Sequence, residues 1–253
     1  MFGARAGAIV IGALASLAAP APGAYAEGVR NVLELFTSQG CSSCPPADRI
    51  LSQLSRDPSV LALSFPVDYW DYIGWKDTLA APNYTARQKA YASASGKGQV
   101  YTPQVIVNGL ADAVGSDLEA IEQAERTTAK RSGVLSVPLS VVEEGGKINV
   151  SVGTAGAGAP KVGGVYLLAF ASSRTVTIQR GENAGSTLTY ANVVRAITKI
   201  GDWSGAPVNL EADLSQARLN GADSYAVIVQ AGERATPSAI LAAARGPGPT
   251  PSD

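Results

Sequence analysis

Cys41 and Cys44 are the only cysteines in a chain of 253 residues, and two serines separate them. That gap lets the sulfurs close a small disulfide ring or open it again without moving the rest of the fold. A C-x-x-C pair between a strand-like and a helix-like segment therefore reads as a redox pair. In thiol–disulfide exchange the thiolate is the nucleophile, and the free N–H groups and dipole at a helix N-terminus stabilise it. Cys41, the first of the pair, is expected to be the exposed attacking sulfur, with Cys44 the resolving one turned toward the protein. Pro45 and Pro46 follow at once, and proline suits a first helical turn, where its missing N–H costs nothing. A helix is thus expected to begin with Cys44 near its N-cap. The same residues also allow a stabilising disulfide at a helix start, although so short a loop removes little chain entropy.

The chain contains no histidine. This removes Ser-His-Asp triads, Cys-His catalysis, most zinc sites and histidine-assisted copper sites. What remains is chemistry of thiols, carboxylates, hydroxyls and backbone, with no cofactor or metal site expected. Two thiolates can hold copper(I), which makes a soft-metal carrier an alternative, but methionine partners are missing too: the single methionine is Met1.

Glu34 is the only acid inside the apolar run Val32–Phe36. Either it points into the core, where burial would raise its pKa and suit it to proton transfer, or it faces solvent between Leu33 and Leu35. The segment Val67–Asp77 carries Trp70, Tyr72 and Trp75, which could line a groove, and Asp68, which could tune it; aromatics this dense also pack as a loop core. Thr102-Pro103 stands directly before the strand-like run Gln104–Gly109. Arg180-Gly181-Glu182-Asn183-Ala184-Gly185 reads as a tight charged turn without an assigned chemistry.

Compartment follows from the first residues. Arg5 opens a short basic region, Ala8–Ala19 is almost wholly apolar, and Ala24-Tyr25-Ala26 gives a small-x-small cleavage pattern. The apolar run is short for a membrane span, so residues 1–26 are expected to be a cleaved signal peptide, leaving no stable membrane insertion. The expected location is periplasmic or secreted, an oxidising milieu in which a dithiol holds its disulfide. Apolar residues at 46% against 16% charged residues describe a globular chain. A net charge of −1 gives no electrostatic case for nucleic acid as a partner.

These residues must be positioned by the elements around them. Val32–Thr37 reads as a strand, Ala47–Ser55 as a helix, and Val60–Val67 as a strand covered on both faces. Thr78–Ser95 reads as a helix, Val105–Asn108 and Ala111–Val114 as strands, and a last helix starts near Asp117 with Ser116 and Glu119 as a capping box. After Gly133 the pattern changes to short strands: Val137–Val142, Lys147–Val152, Gly164–Ala171, Thr175–Gln179, Val208–Ala212 and Tyr225–Gln230. Glu144-Gly145-Gly146-Lys147 is a hairpin signal, and Thr189–Ile197 fits strand or helix. The expectation is an α/β domain over residues 29–132, an all-β sandwich-like domain over 134–245, and a disordered tail over 246–253.

The order β-α-β-α-β-β-α, with C-x-x-C after the first strand and Thr-Pro before the third, resembles the thioredoxin fold. The whole chain is similar to a family of exported bacterial thioredoxin-like proteins of unknown function. It shares their G-C-S-S-C-P-P-A-D, V-D-Y-W-D-Y, Y-T-P-Q and R-G-E-N motifs. The resemblance implies Cys41, Cys44 and Pro103 as the site. Pro103 would be cis and lie against the disulfide, and the Thr102 backbone would pair with a bound peptide as an added strand. It also implies a buried carboxylate near Glu34 that handles the proton of the resolving thiol. The function so implied is an exported thiol–disulfide oxidoreductase, with exported protein thiols or disulfides and a redox recharging protein as partners. A non-catalytic binding module with a structural disulfide is the alternative.

Overall fold

The computed structural model describes residues 28–232 and 236–246. The expected signal-peptide segment, and the expected tail beyond Gly246, lie outside the described residues. The first half runs β1 (Asn31–Thr37), α1 (Cys44–Leu54), β2 (Val60–Pro66), α2 (Pro82–Ala94), β3 (Gln104–Val107), β4 (Ala111–Val114) and α3 (Leu118–Thr128). The second half is β5 (Leu139–Glu144), β6 (Lys147–Val152), β7 (Gly163–Thr177), β8 (Thr187–Trp203), β9 (Val208–Asp213), β10 (Ser224–Ala231) and β11 (Ile240–Arg245). The result is a mixed α/β structure with a large mixed sheet and a smaller antiparallel one.

β1 is central because its two faces are both apolar. Leu33 and Leu35 pack on α1 and α3 with Ala47, Leu51, Val105 and Ile121. Val32 and Phe36 pack on the opposite side with Phe65, Tyr84 and Tyr91. β2 lies parallel to β1, and β3 runs antiparallel on its other side. All seven residues of β2 are buried, as the unbroken apolar run requires of a parallel strand covered on both faces.

The large sheet has the order β11-β10-β7-β8-β2-β1-β3-β4, so strands from both halves of the chain share it. The junction is β2 against β8, where Ser64 lies opposite Val193. Ser64 Oγ donates to the Ala191 carbonyl at 2.9 Å, and Asn192 Nδ2 donates to the Ala62 carbonyl at 2.8 Å. Side chains thus replace ladder hydrogen bonds at the seam. The second sheet, β5-β6-β9, packs against β7, β10 and β11: Ile148 and Val150 share a core with Val165, Leu167, Val227 and Leu241. Gly145 and Gly146, at φ 58° and 80°, form the β5–β6 turn, where both central residues need the left-handed region.

Several elements differ from the sequence expectation. The second helix starts at Pro82, because Asp77 spends its carboxylate on the N–H groups of Leu79 and Ala80 and turns that stretch into a loop. Helix α3 is capped by Asp117, which accepts from the Ala120 N–H, and not by the Ser116–Glu119 box. The two strands expected between Gly164 and Gln179 are one strand, β7, and the ambiguous stretch Thr189–Ile197 lies within β8. β11 was not anticipated: its Ala242-Ala243-Ala244 core carries little strand signal, and pairing with β10 decides it.

Candidate functional site

The site is built at the end of β1. Beyond Thr37 the chain turns through Ser38, Gln39 and Gly40 into the cysteines, with the Cys41 N–H donating to the Ser38 carbonyl. Cys41 and Cys44 form a disulfide with Cα atoms 5.4 Å apart. Cys44 is the first residue of α1, Ser43 is its N-cap, and Pro45 and Pro46 fill the first turn without leaving an N–H stranded. Gly40 fits closely here, since a Cβ would come within 3.1 Å of the Ile73 and Trp70 side chains of the loop on which the turn rests.

A buried acid stands one helical turn after Cys44. Asp48 is 4% exposed; its Oδ1 accepts from the Thr37 hydroxyl at 2.8 Å, and among the described residues its buried Oδ2 has no partner. Burial pushes this carboxyl up to about 7; the Thr37 bond works against that shift and the charge of Asp77 adds to it. Asp77, itself buried, is also raised by burial despite accepting N–H groups of Gln39, Leu79 and Ala80. Tyr190 from β8 completes the group: its buried hydroxyl finds no partner among the described residues, and burial first, then Asp48 and Asp77, raise its pKa.

The turn at 180–185, which the sequence leaves without an assigned chemistry, is hydrogen-bonded to this loop. Asn183 Nδ2 donates to the carbonyls of Gln39 and Cys41, each at 2.9 Å. Glu182 accepts from the Ser42 N–H at 3.1 Å, and Ser42 holds its carboxyl below the usual range. Below the turn, Asp77 accepts from the Gln39 N–H at 2.8 Å and Gln39 Oε1 accepts from Trp75 Nε1 at 2.7 Å. The expectation of an exposed Cys41 is corrected. Cys41 is 1% exposed and Cys44 0%, while Ser42 and Ser43 between them are exposed. The cue in the sequence was a polar R-G-E-N cluster without an evident local partner.

The other expected residues are distributed as follows. The Thr102–Pro103 bond is cis, and Pro103 is buried. A Cβ on Gly115 would meet both Pro103 and Ala47, at 3.2 and 3.1 Å, which places Pro103 beside α1. Trp70 Nε1 donates to Thr102 Oγ1 at 2.8 Å, and the Tyr72 ring stacks on Trp70 with centroids 6.4 Å apart and is 82% exposed. Asp68 takes no part in this group: its carboxylate accepts from Thr85 and fastens the aromatic loop to α2. Glu34 points into the core, the first of its two readings, but on the face opposite Thr37 and Asp48. Arg87 grips it through two bonds of 2.9 and 2.6 Å. Burial is the largest influence on Arg87 and opposes its charge, but Glu34, Tyr91 and Tyr166 together raise its pKa and the guanidinium stays protonated.

The fold and site define a disulfide-bearing α/β protein whose second half caps its own C-x-x-C loop. Comparison with known families places it: the chain belongs to the family described as a protein of unknown function, DUF1223, whose model matches residues 32–230. A crystal structure of an Agrobacterium tumefaciens protein is similar at 33% identity and TM-score 0.76, covering 87% of this chain and 94% of that one. A superoxide reductase from Nanoarchaeum equitans aligns at 12% identity and TM-score 0.22 over 46% of this chain and 94% of its own, too remote a likeness to carry an argument. No curated protein matches the chain.

Proposed function

We propose that the protein is an exported thiol–disulfide oxidoreductase with a thioredoxin-like core, acting on protein thiols or disulfides through Cys41 and Cys44. The strand order β2-β1-β3-β4, with β1 and β2 parallel and α1 opening at the cysteines, supports that core. One observation carries the reading: a buried, half-satisfied carboxyl stands a turn behind Cys44 and is tuned near neutrality. A purely structural disulfide has no use for a proton acceptor there, and burying one costs stability.

The steps balance. A partner thiolate attacks Cys41 Sγ; the new S–S bond forms as the Cys41–Cys44 bond breaks, and Cys44 leaves as a thiolate that takes the proton held by Asp48. A second partner thiolate then attacks the partner's sulfur in the mixed disulfide, so the partner gains its disulfide and Cys41 leaves as a thiolate. In the reducing direction Cys41 thiolate attacks a partner disulfide and expels one partner thiolate. Asp48 carboxylate then takes the Cys44 proton, and Cys44 attacks Cys41 Sγ to expel the second partner thiolate and re-form the Cys41–Cys44 bond. Asp48 thus takes the role the sequence suggested for Glu34, whose carboxylate is committed to Arg87. Thr102 offers its backbone to an extended segment, with Trp70 and Tyr72 as the wall of that groove. The Glu182–Asn183 cap must lift for the partner to reach Cys41.

The burial of both sulfurs favours a second reading, a binding module whose disulfide is structural. Trapping separates the two. Cys44→Ser protein, expressed in an exporting cell and purified without reductant, is expected to carry adducts that reductant releases and that Cys41→Ser lacks. Absence of adducts from Cys44→Ser overturns the oxidoreductase and leaves the structural disulfide.

A further inference from the structure

A cavity of about 790 Å³ opens between α2 and the β10-β7-β8 part of the large sheet, away from the disulfide. It exists because the facing surfaces are small: Ala86 and Ala90 on the helix look across to Gly163, Gly164 and Ala231. The Tyr166 ring lies flat over Gly164, where a Cβ would come within 2.6 Å, so this wall folds down and leaves the space open. Val162, 53% exposed at the rim, is an apolar side chain with no cover. A hollow of this size, lined by apolar side chains together with polar ones from Asn83, Arg87, Lys199, Asp202 and Gln230, has the form of a small-molecule site.

The charges around it define what it takes. Arg87 is matched by Glu34, and Lys199 by Asp202 at 2.5 Å, so the lining carries no unpaired charge among the described residues. Among the described residues a charged ligand would find no free counter-ion there. One donor remains: among the described residues, the Arg87 Nε and Nη2 serve Glu34, Tyr91 and Gln230, while Nη1 donates to none. We propose that this cavity binds an uncharged, largely apolar small molecule that bears a carbonyl-type acceptor for Arg87. The inference is independent of any redox activity at Cys41.

The probe is prodan, a neutral naphthyl ketone whose emission moves to the blue in apolar surroundings. Saturable blue-shifted binding to the full protein at one site is expected, displaced by octan-2-one and not by octanoate. Ala86→Trp and Ala90→Trp place bulk in the hollow from helix positions that are not fully buried, and each is expected to weaken prodan binding at least tenfold. Circular dichroism and the melting temperature check that both variants fold, and either folded variant suffices. No saturable shift overturns the proposal. So does wild-type affinity in a folded filling variant, or displacement by octanoate as strong as that by octan-2-one.

Discussion

Asn183 and Cys41 lie 142 positions apart in the chain, yet the Asn183 amide donates to the Cys41 carbonyl at 2.9 Å, and to that of Gln39 at the same distance. One buried side chain therefore ties the disulfide loop to the second half of the protein. The strand seam at Ser64–Val193 joins the two halves in one sheet, and Asn183 fastens the backbone of the disulfide loop to the second half.

Removing that tie should uncover the disulfide. Asn183→Ala leaves two buried carbonyls without their donor, a loss on the order of 1–3 kcal/mol. The rate at which dithiothreitol reduces the disulfide is expected to rise several-fold under native conditions, while the urea midpoint falls. An unchanged reduction rate in a variant of lowered stability would show that the cap does not control access.

Asp48 makes stability depend on pH with a defined sign. Its carboxyl keeps a proton up to about 7 when folded, against 3.8 as its ordinary value. The stability this contributes is complete below the ordinary value and is lost as pH rises through the folded one. Wild-type unfolding free energy is expected to drop by about 2 kcal/mol between pH 5 and pH 8 relative to Asp48→Asn. Parallel pH curves for the two proteins would contradict the assignment. The same variant is expected to resolve mixed disulfides on the order of 100-fold more slowly, if Asp48 is the base.

Glu34 answers a different question. Glu34→Gln leaves the Arg87 guanidinium buried without its counter-charge, which costs about 3–5 kcal/mol. The double variant Glu34→Gln with Arg87→Met should regain much of that loss. Disulfide exchange rates, measured where the single variant is still folded, should stay within a few-fold of wild type. A rate loss in Glu34→Gln matching that of Asp48→Asn would return the proton role to Glu34.

Tyr72 is exposed and stacked, so Tyr72→Ala should leave the melting temperature nearly unchanged. Exchange with an unfolded-protein substrate is expected to slow, because base-line reactivity with a small thiol needs no groove. Equal rates with both substrates in the variant and the wild type would remove Tyr72 from the docking wall.

How much of this was legible in the sequence depended on how local the signal was. The cysteines, the double proline and the apolar run of β1 speak through nearest neighbours, so the strand–turn–helix that carries the disulfide could be read directly. Asp48 was in plain view in the same helix, but burial by β8 gives it its character, and periodicity does not report burial of a polar residue. The cap was harder still. Glu182 and Asn183 acquire meaning only when β7 and β8 extend the first sheet, a long-range pairing that alternation of apolar residues cannot specify. Glu34 fitted a core-facing or a solvent-facing position in the sequence; it is buried, and its partner Arg87, on another helix, decides its chemistry.

The reduction potential of the Cys41–Cys44 disulfide tests the central claim most directly. The protein would be equilibrated in glutathione or dithiothreitol buffers of graded potential and the thiols trapped by alkylation. An oxidoreductase should give a value between about −270 and −120 mV, the range in which exchanging pairs operate. A value below about −300 mV, where structural disulfides lie, would contradict the account and leave the pair as a staple of the fold.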